Sequence, residues 1–311
     1  MRGDEAVRLL VRTRPTQDVF VSPAWVRAAW THLPQLGSPL MLVVGTSSRS
    51  WWLPLAERHD SLRLAGSPLG DRHDLVGPLG ADRERAAAAA VNALCEQRVT
   101  VRLHAIDRRG ALAGVLGQLG RWTVECEPSP LIPTDAAVRS SGAMRRLDRL
   151  RRRGPTEILC HRRDDVDPNR VRAFAHARRE AWQWRGRQSP EVEQLPGFED
   201  FLVEAVVHLA GDDRARIWEL RVDGALVAQD LHLGEPCRPL LYMRAFDPQW
   251  APLSPGKVLL EQVLLILHEE RIETLDSGRG DEPYKMALGG DRSVVVNAVF
   301  SPPARSSGAP W

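Results

Sequence analysis

Apolar and polar positions alternate along this chain in two rounds of the same order. In the first round, Ser22-Pro23-Ala24-Trp25 starts a helix: Ser22 suits the cap, Pro23 the first helical position, and Trp25 and Trp30 face inward. A strand is expected before it, over Val7 to Arg12. The apolar runs Leu40 to Val44 and Trp51 to Leu55, parted by the polar stretch Gly45 to Ser50, predict a hairpin. After the Gly/Pro-rich segment Gly66 to Gly80 come an alanine-rich helix, Asp82 to Gln97, and a strand, Thr100 to Ile106. A second helix and strand fit Arg108 to Leu119 and Trp122 to Glu127.

The second round opens with a strand near Glu157 to His161 and helices over Pro168 to Arg185 and Gly197 to Leu209. Asp223-Gly224 between Ala215 to Val222 and Ala225 to Leu233 is a strong hairpin signal. A strand (Pro239 to Ala245), a helix (Pro255 to Glu270) and strands at Ile272 to Asp276 and Ser293 to Phe300 complete it. The repeated plan predicts an α/β (α+β) protein of two tandem units, each a mixed sheet flanked by helices. The expected divisions are residues 1–140, a basic helical linker at 141–154, a second domain at 155–300, and a flexible tail from 301 to 311.

At 311 residues, 43% apolar and 26% charged, the chain has an ordinary globular balance. A net charge of +2 gives no prior for nucleic acid or membrane. Cys95, Cys126, Cys160 and Cys237 are scattered, without metal-ligand spacing, and read as buried, reduced thiols. No run suits a signal peptide or a membrane span, so a soluble, cytoplasmic protein without a metal is expected. Of 42 basic residues only Lys257 and Lys285 are lysines, and Tyr242 and Tyr284 are the only tyrosines. All four fall in one stretch, which directs attention there, because a compact ammonium is not replaced by arginine.

In that stretch Ser254-Pro255-Gly256-Lys257-Val258 begins a helix after a strand and loop. Ser254 is expected to cap it, and Gly256 to let a ligand approach. The amides of Gly256, Lys257 and Val258, with the Lys257 ammonium, then suit a pyrophosphate. A well-capped helix start without a ligand is the plainer reading. Downstream, Leu275-Asp276-Ser277-Gly278-Arg279-Gly280-Asp281-Glu282-Pro283-Tyr284-Lys285 empties an apolar strand into a Gly-rich loop bearing carboxylate, Tyr and Lys. Such loops carry active sites in open α/β folds, although a plain polar loop reads the same.

The two segments together, with Ser22-Pro23-x-Trp25, Pro54 and Gly66-Ser67-Pro68-Leu69 before Asp71 and Asp74, resemble the GNAT-superfamily branch of BioF2-like or CelD-like acetyltransferases. The resemblance spans nearly the whole chain. It also extends to Fem-type aminoacyl-tRNA-dependent transferases of tandem GNAT architecture. It implies an acyl-CoA, acetyl-CoA foremost, held between two splayed strands, with its pyrophosphate at Pro255 to Val258 and strand amides of Met243, Arg244 and Ala245 polarising the thioester carbonyl. Only Gly256 stands for the usual glycine-rich phosphate loop.

An amine acceptor needs a base, and Asp230, His232, Asp247 and Asp276 are candidates beside Tyr284 and Lys285. Tyr242, Asp247 and Trp182 are expected on the substrate. The expected function is N-acyl transfer from acyl-CoA to an amine of a small molecule, sugar or amino acid. The alternatives are a Fem-like transfer from aminoacyl-tRNA, with the basic run Arg145 to Arg153 on the tRNA, and a non-catalytic binding protein on a decayed fold.

Overall fold

A computed structural model of the chain describes residues 2–3, 5–6, 8, 18–45, 49–139 and 142–303. The expected strand at 7–12 lies outside them except for Arg8, and so does the tail from 304 on. The first described helix, α1 (Pro23–His32), is capped by Ser22, whose Oγ accepts from the Trp25 amide at 3.4 Å. Strands β1 (Ser38–Gly45), β2 (Ser50–Arg58) and β3 (Ser61–Leu64) form an antiparallel meander. Helix α2 (Asp82–Cys95) crosses over to β4 (Thr100–Asp107), which lies parallel to β3. Its alanines have a structural use: Ala87, Ala90, Val91 and Leu94 are buried against Leu53, Leu62 and Leu103. Helix α3 (Ala111–Leu116) leads to β5 (Trp122–Pro128).

Strand β6 (Leu131–Pro133), α4 (Ala136–Arg139) and α5 (Ala143–Arg151) lead into the second sheet. Next come β7 (Thr156–Arg162), α6 (Pro168–Trp184), α7 (Phe198–Gly211), β8 (Ala215–Val222), β9 (Ala225–Glu235) and β10 (Arg238–Phe246). Helix α8 (Pro255–Glu269), β11 (Thr274–Asp276), α9 (Pro283–Ala287) and β12 (Val294–Phe300) end the described fold. The sheets run β1-β2-β3-β4-β12-β5 and β6-β11-β10-β9-β8-β7.

The expected α/β architecture of two mixed sheets flanked by helices is thus present, with one difference in how the chain is shared out. Strand β12, expected with the second half, pairs with β4 and β5 of the first sheet, while β6 joins the second through β11. Helix α1 likewise packs into the second half's core, where Trp25 meets Phe201 edge-on at 4.9 Å and Tyr242 at 5.5 Å. Glu204 of α7 accepts from Arg27 at 3.0 Å and pairs with His32 at 2.7 Å. Buried aromatic contacts of this kind bind the halves as firmly as a domain core.

Helix α5 explains much of the basic run. Ala143, Leu147 and Leu150 are buried, and Arg146 reaches inward to the buried Glu261 of α8 with Nε at 2.8 Å. Arg145, Arg149, Arg151, Arg152 and Arg153 remain exposed. All four cysteines are free, but none is buried as expected: Cys95 and Cys160 are half-buried, and Cys126 and Cys237 are exposed on a solvent-facing strand and turn.

Candidate active site

Strands β10 and β11 are parallel and register at a single pair, Leu240 with Asp276. There β11 ends, whereas β10 runs on to Phe246, so the two part. Register with β9 slips between Leu241 and Met243, which makes Tyr242 the extra residue of a bulge at the fork. The space beyond is a cavity of about 880 Å³ walled by β10, the 277–279 loop, the start of α8 and the end of α6.

Of the expected site residues, Tyr242, Met243, Arg244, Ser254, Gly256, Lys257, Tyr284, Lys285 and Trp182 line this cavity. Arg244 is its centrepiece. Its guanidinium makes two 2.7 Å bonds to the fully buried carboxylate of Asp230, and its carbon lies 5.6 Å from the Tyr284 ring centre. Burial works against its charge, yet Asp230 more than offsets this and holds the guanidinium above its usual range. A Cβ at Gly256 would lie 3.2 Å from Arg244 Cδ, so the glycine admits this side chain beneath the helix start. Asp230 therefore positions Arg244 through both of its oxygens, and it lies behind the cavity wall, away from where a base would meet an acceptor.

The other expected bases lie off the cavity or are held by partners. His232 is buried to 2%, its imidazole pushed down to about 3 by burial and by Arg244 and Arg216, and it stands outside the cavity wall. Asp276 turns to the opposite side, where Arg72 binds it at 2.6 Å and its carboxylate accepts from the Gly278 amide. Burial raises its pKa although Arg72 opposes this. Asp247 accepts from the Gln249 amide at 2.9 Å and caps the short helix Pro248–Leu253. Lys285 is 2% exposed, and its Nζ donates to the carbonyls of Gly278, Arg279 and Gly280 at 3.2, 2.6 and 3.3 Å and meets Glu282 at 2.8 Å. It fastens the cavity loop.

The helix start also differs from expectation. Ser254 is left-handed (φ 52°, ψ 52°) and its side chain makes no capping bond. Its carbonyl instead accepts from the Lys257 and Val258 amides at 3.0 and 3.2 Å, so two of the three expected anion-binding amides are taken. Val258 and Ala245 pack in buried cores. The cationic side chains remain. Lys257 has no ion pair among the described residues, and Arg185 stacks over Phe246 and Trp182 at 4.8 and 5.6 Å. Burial, then the neighbouring Arg178, Arg187 and Arg244, depress Arg185.

Residues 139–286 match the profile of the acetyltransferase (GNAT) domain. The matched segment is GNAT-type. No curated protein sequence matches the chain. Among solved structures, it is similar to the C-terminal domain of a putative lysylphosphatidylglycerol synthetase from Agrobacterium fabrum, at 14% identity and a TM-score of 0.61, covering 95% of this chain and 90% of that one. The L-PGS of Bacillus licheniformis is similar at 14% identity and 0.60, over 98% and 93% of the two chains. FemX is similar at 10% identity and 0.59, over 96% of each chain. At these identities the likeness is one of fold, and it extends over both halves.

Several residues around the gap of this GNAT domain were not foreseen. Arg178 binds Glu193 through two bonds of 2.9 and 2.7 Å and donates to the Arg244 carbonyl at 3.0 Å, tying α6 to β10. Pro68, Leu69 and Asp71 bring the first half into the wall. Tyr242 joins them by donating its hydroxyl to the Leu69 carbonyl at 3.0 Å, which makes it a seam residue more than a substrate contact. The sequence signal for these was the Gly66-Ser67-Pro68-Leu69 segment; nothing local tied it to a site more than 170 residues away. Among the described residues no group of His, Cys, Asp or Glu is arranged to hold a metal, and no helix is long and apolar enough to cross a membrane.

Proposed function

We propose that the protein is an N-acyltransferase that carries an acyl group, acetyl foremost, from a CoA thioester to an amine. The observation that carries this reading is the fork itself: two parallel strands registered at one pair, opening on a cavity whose mouth holds Lys257, Arg185 and the positive end of α8. A bulky polyanion with a slender acyl arm suits a charged mouth and a narrow fork. The amine nitrogen attacks the thioester carbonyl, the C–N bond forms, and the C–S bond breaks. The backbone amide of Arg244, which the alternating ladder with β9 turns toward the gap while those of Met243 and Ala245 face β9, polarises the carbonyl oxygen. Tyr284, whose phenol burial keeps protonated, supplies a proton to the leaving thiolate and regains one from solvent. An acceptor entering as an ammonium thus yields amide, free thiol and one proton.

A place in the BioF2-like or CelD-like branch is part of this proposal, supported by Ser254-Pro255-Gly256, Asp276, Gly280 and Tyr284-Lys285. Incubation with labelled acetyl-CoA and longer acyl-CoAs, with an amine panel as acceptors, tests the reading. Label passing to an amine supports it; no transfer and no binding of any acyl-CoA removes it.

A second reading, transfer of an aminoacyl group from tRNA, is favoured by the whole-chain likeness to FemX and L-PGS and by the exposed arginines of α5. It is distinguished by activity that ribonuclease destroys and by tRNA affinity that falls steeply with salt.

A further inference from the structure

Asp71 lines the cavity from the first half, and the transfer step above makes no use of it. Its side chain is nearly buried, and Oδ1 accepts from Arg279 Nε at 2.6 Å. Arg279 is in turn anchored by the Pro68 carbonyl at 2.8 Å, by His104 and by Glu127. The carboxylate is therefore held rigidly by one oxygen. Its Oδ2 points to Gly278: a Cβ built there would lie 3.0 Å from Asp71 Oδ2 and 3.3 Å from the Leu241 carbonyl oxygen. Two acceptor oxygens from different halves thus flank Gly278 on the cavity wall at the root of the fork, packed too closely for a side chain at 278.

The other carboxylates of the wall are placed differently. Glu193 gives both oxygens to Arg178, and Glu282 meets Lys285 on the rim, where its side chain is 54% exposed. An anionic oxygen beside a carbonyl on the cavity wall matches a compact donor with several N–H bonds to give.

We propose that Asp71 Oδ2 and the Leu241 carbonyl receive the acceptor's amino group, so that the first half selects a primary amine for acylation in the second. The inference rests on the acyl-transfer reading of the fork. The ammonium gives its first proton to Asp71 and thence to water, and the freed lone pair faces the thioester carbon; the second proton leaves with the C–N bond formed. Neutral alcohols and anionic acceptors do not satisfy this pair of oxygens.

Saturation-transfer NMR with benzylamine, and benzyl alcohol as its uncharged match, tests the proposal on the full chain and on Asp71→Asn, beside a CoA titration of both. The wild type should bind benzylamine and discriminate against benzyl alcohol. Asp71→Asn should weaken benzylamine binding about tenfold or more while leaving CoA affinity within about twofold. Unchanged benzylamine binding in the variant, equal binding of the alcohol, or no benzylamine binding by the wild type overturns the proposal. Should the variant not fold, the wild-type preference for amine over alcohol decides alone. Failure of CoA to bind the wild type counts against the acyl-CoA reading, and the amine measurement stays interpretable beside it.

Discussion

The two sheets contain the same strand–helix–strand unit, β3-α2-β4 in the first and β10-α8-β11 in the second, and they treat the gap between the parallel strands in opposite ways. In the first, β3 stops at Leu64 and the chain turns back to fill the space. His73 bridges β4 beside Ile106, with its amide on the Ala105 carbonyl at 2.9 Å, and Val76 exchanges bonds with Trp52 of β2 at 2.8 and 2.7 Å. In the second, no described strand or bridge enters the space beyond Leu240, and the cavity remains. The helix starts differ in the same sense. Helix α2 carries Asp82 and Glu84 in its first turn, with Asp82 bound to Arg49, whereas α8 has no acid there and carries Lys257. Acids at a helix start repel an anion and a lysine attracts one. One unit has chain laid into its strand gap and acids at its helix start; the other keeps its gap open and carries a lysine there.

The largest expected effect comes from breaking the pair that props the open gap. Arg244→Ala leaves the Asp230 carboxylate buried without its partner and should cost about 3–5 kcal/mol in denaturant unfolding. Next, Lys285→Met removes the ammonium that gathers three loop carbonyls. It should cost about 1–3 kcal/mol and abolish transfer, because the 278–280 wall loosens.

A pH series separates packing from chemistry. His232 folds neutral, with its pKa near 3 against an ordinary 6.5, so it contributes stability fully above pH 6.5 that is lost as the pH falls toward 3. His73 behaves alike in the closed half, its imidazole also held near 3 by burial and then by Arg279 and His104. Replacing His232 by Leu should flatten the stability slope across that window by about 1.4 kcal/mol per pH unit, measured by chemical denaturation. The smallest effect sharpens the comparison best. Lys257→Ala should weaken CoA binding by roughly tenfold at low salt without altering stability, while Glu84→Ala at the matching place in the first half should leave binding unchanged.

Much of this organisation was legible in the residues. Asp223-Gly224, Ser22-Pro23 and the apolar rhythm of β8 to β10 are local signals, and each produced the expected element. The short strands β3 and β6 carry little periodicity, and the placement of β12 in the first sheet depends on partners nearly two hundred residues distant. The same limit governs the site. Lys285 and Asp230 were visible as unusual, but their roles depend on what faces them: three carbonyls in one case and Arg244 in the other. Ser254 has the composition of a cap, yet its left-handed backbone turns the carbonyl, not the hydroxyl, to the helix. Asp71 could be recognised only once the fold had carried it to the fork.

The central claim is that the open gap of the second sheet is the donor site, and a calorimetric titration with acetyl-CoA of the full chain and of Gly256→Val tests it most directly. The added branch meets Arg244 at the helix start and narrows the fork from within. The account predicts one CoA per chain for the wild type and loss of that binding in the folded variant. Equal binding by both, or none by either, would contradict it.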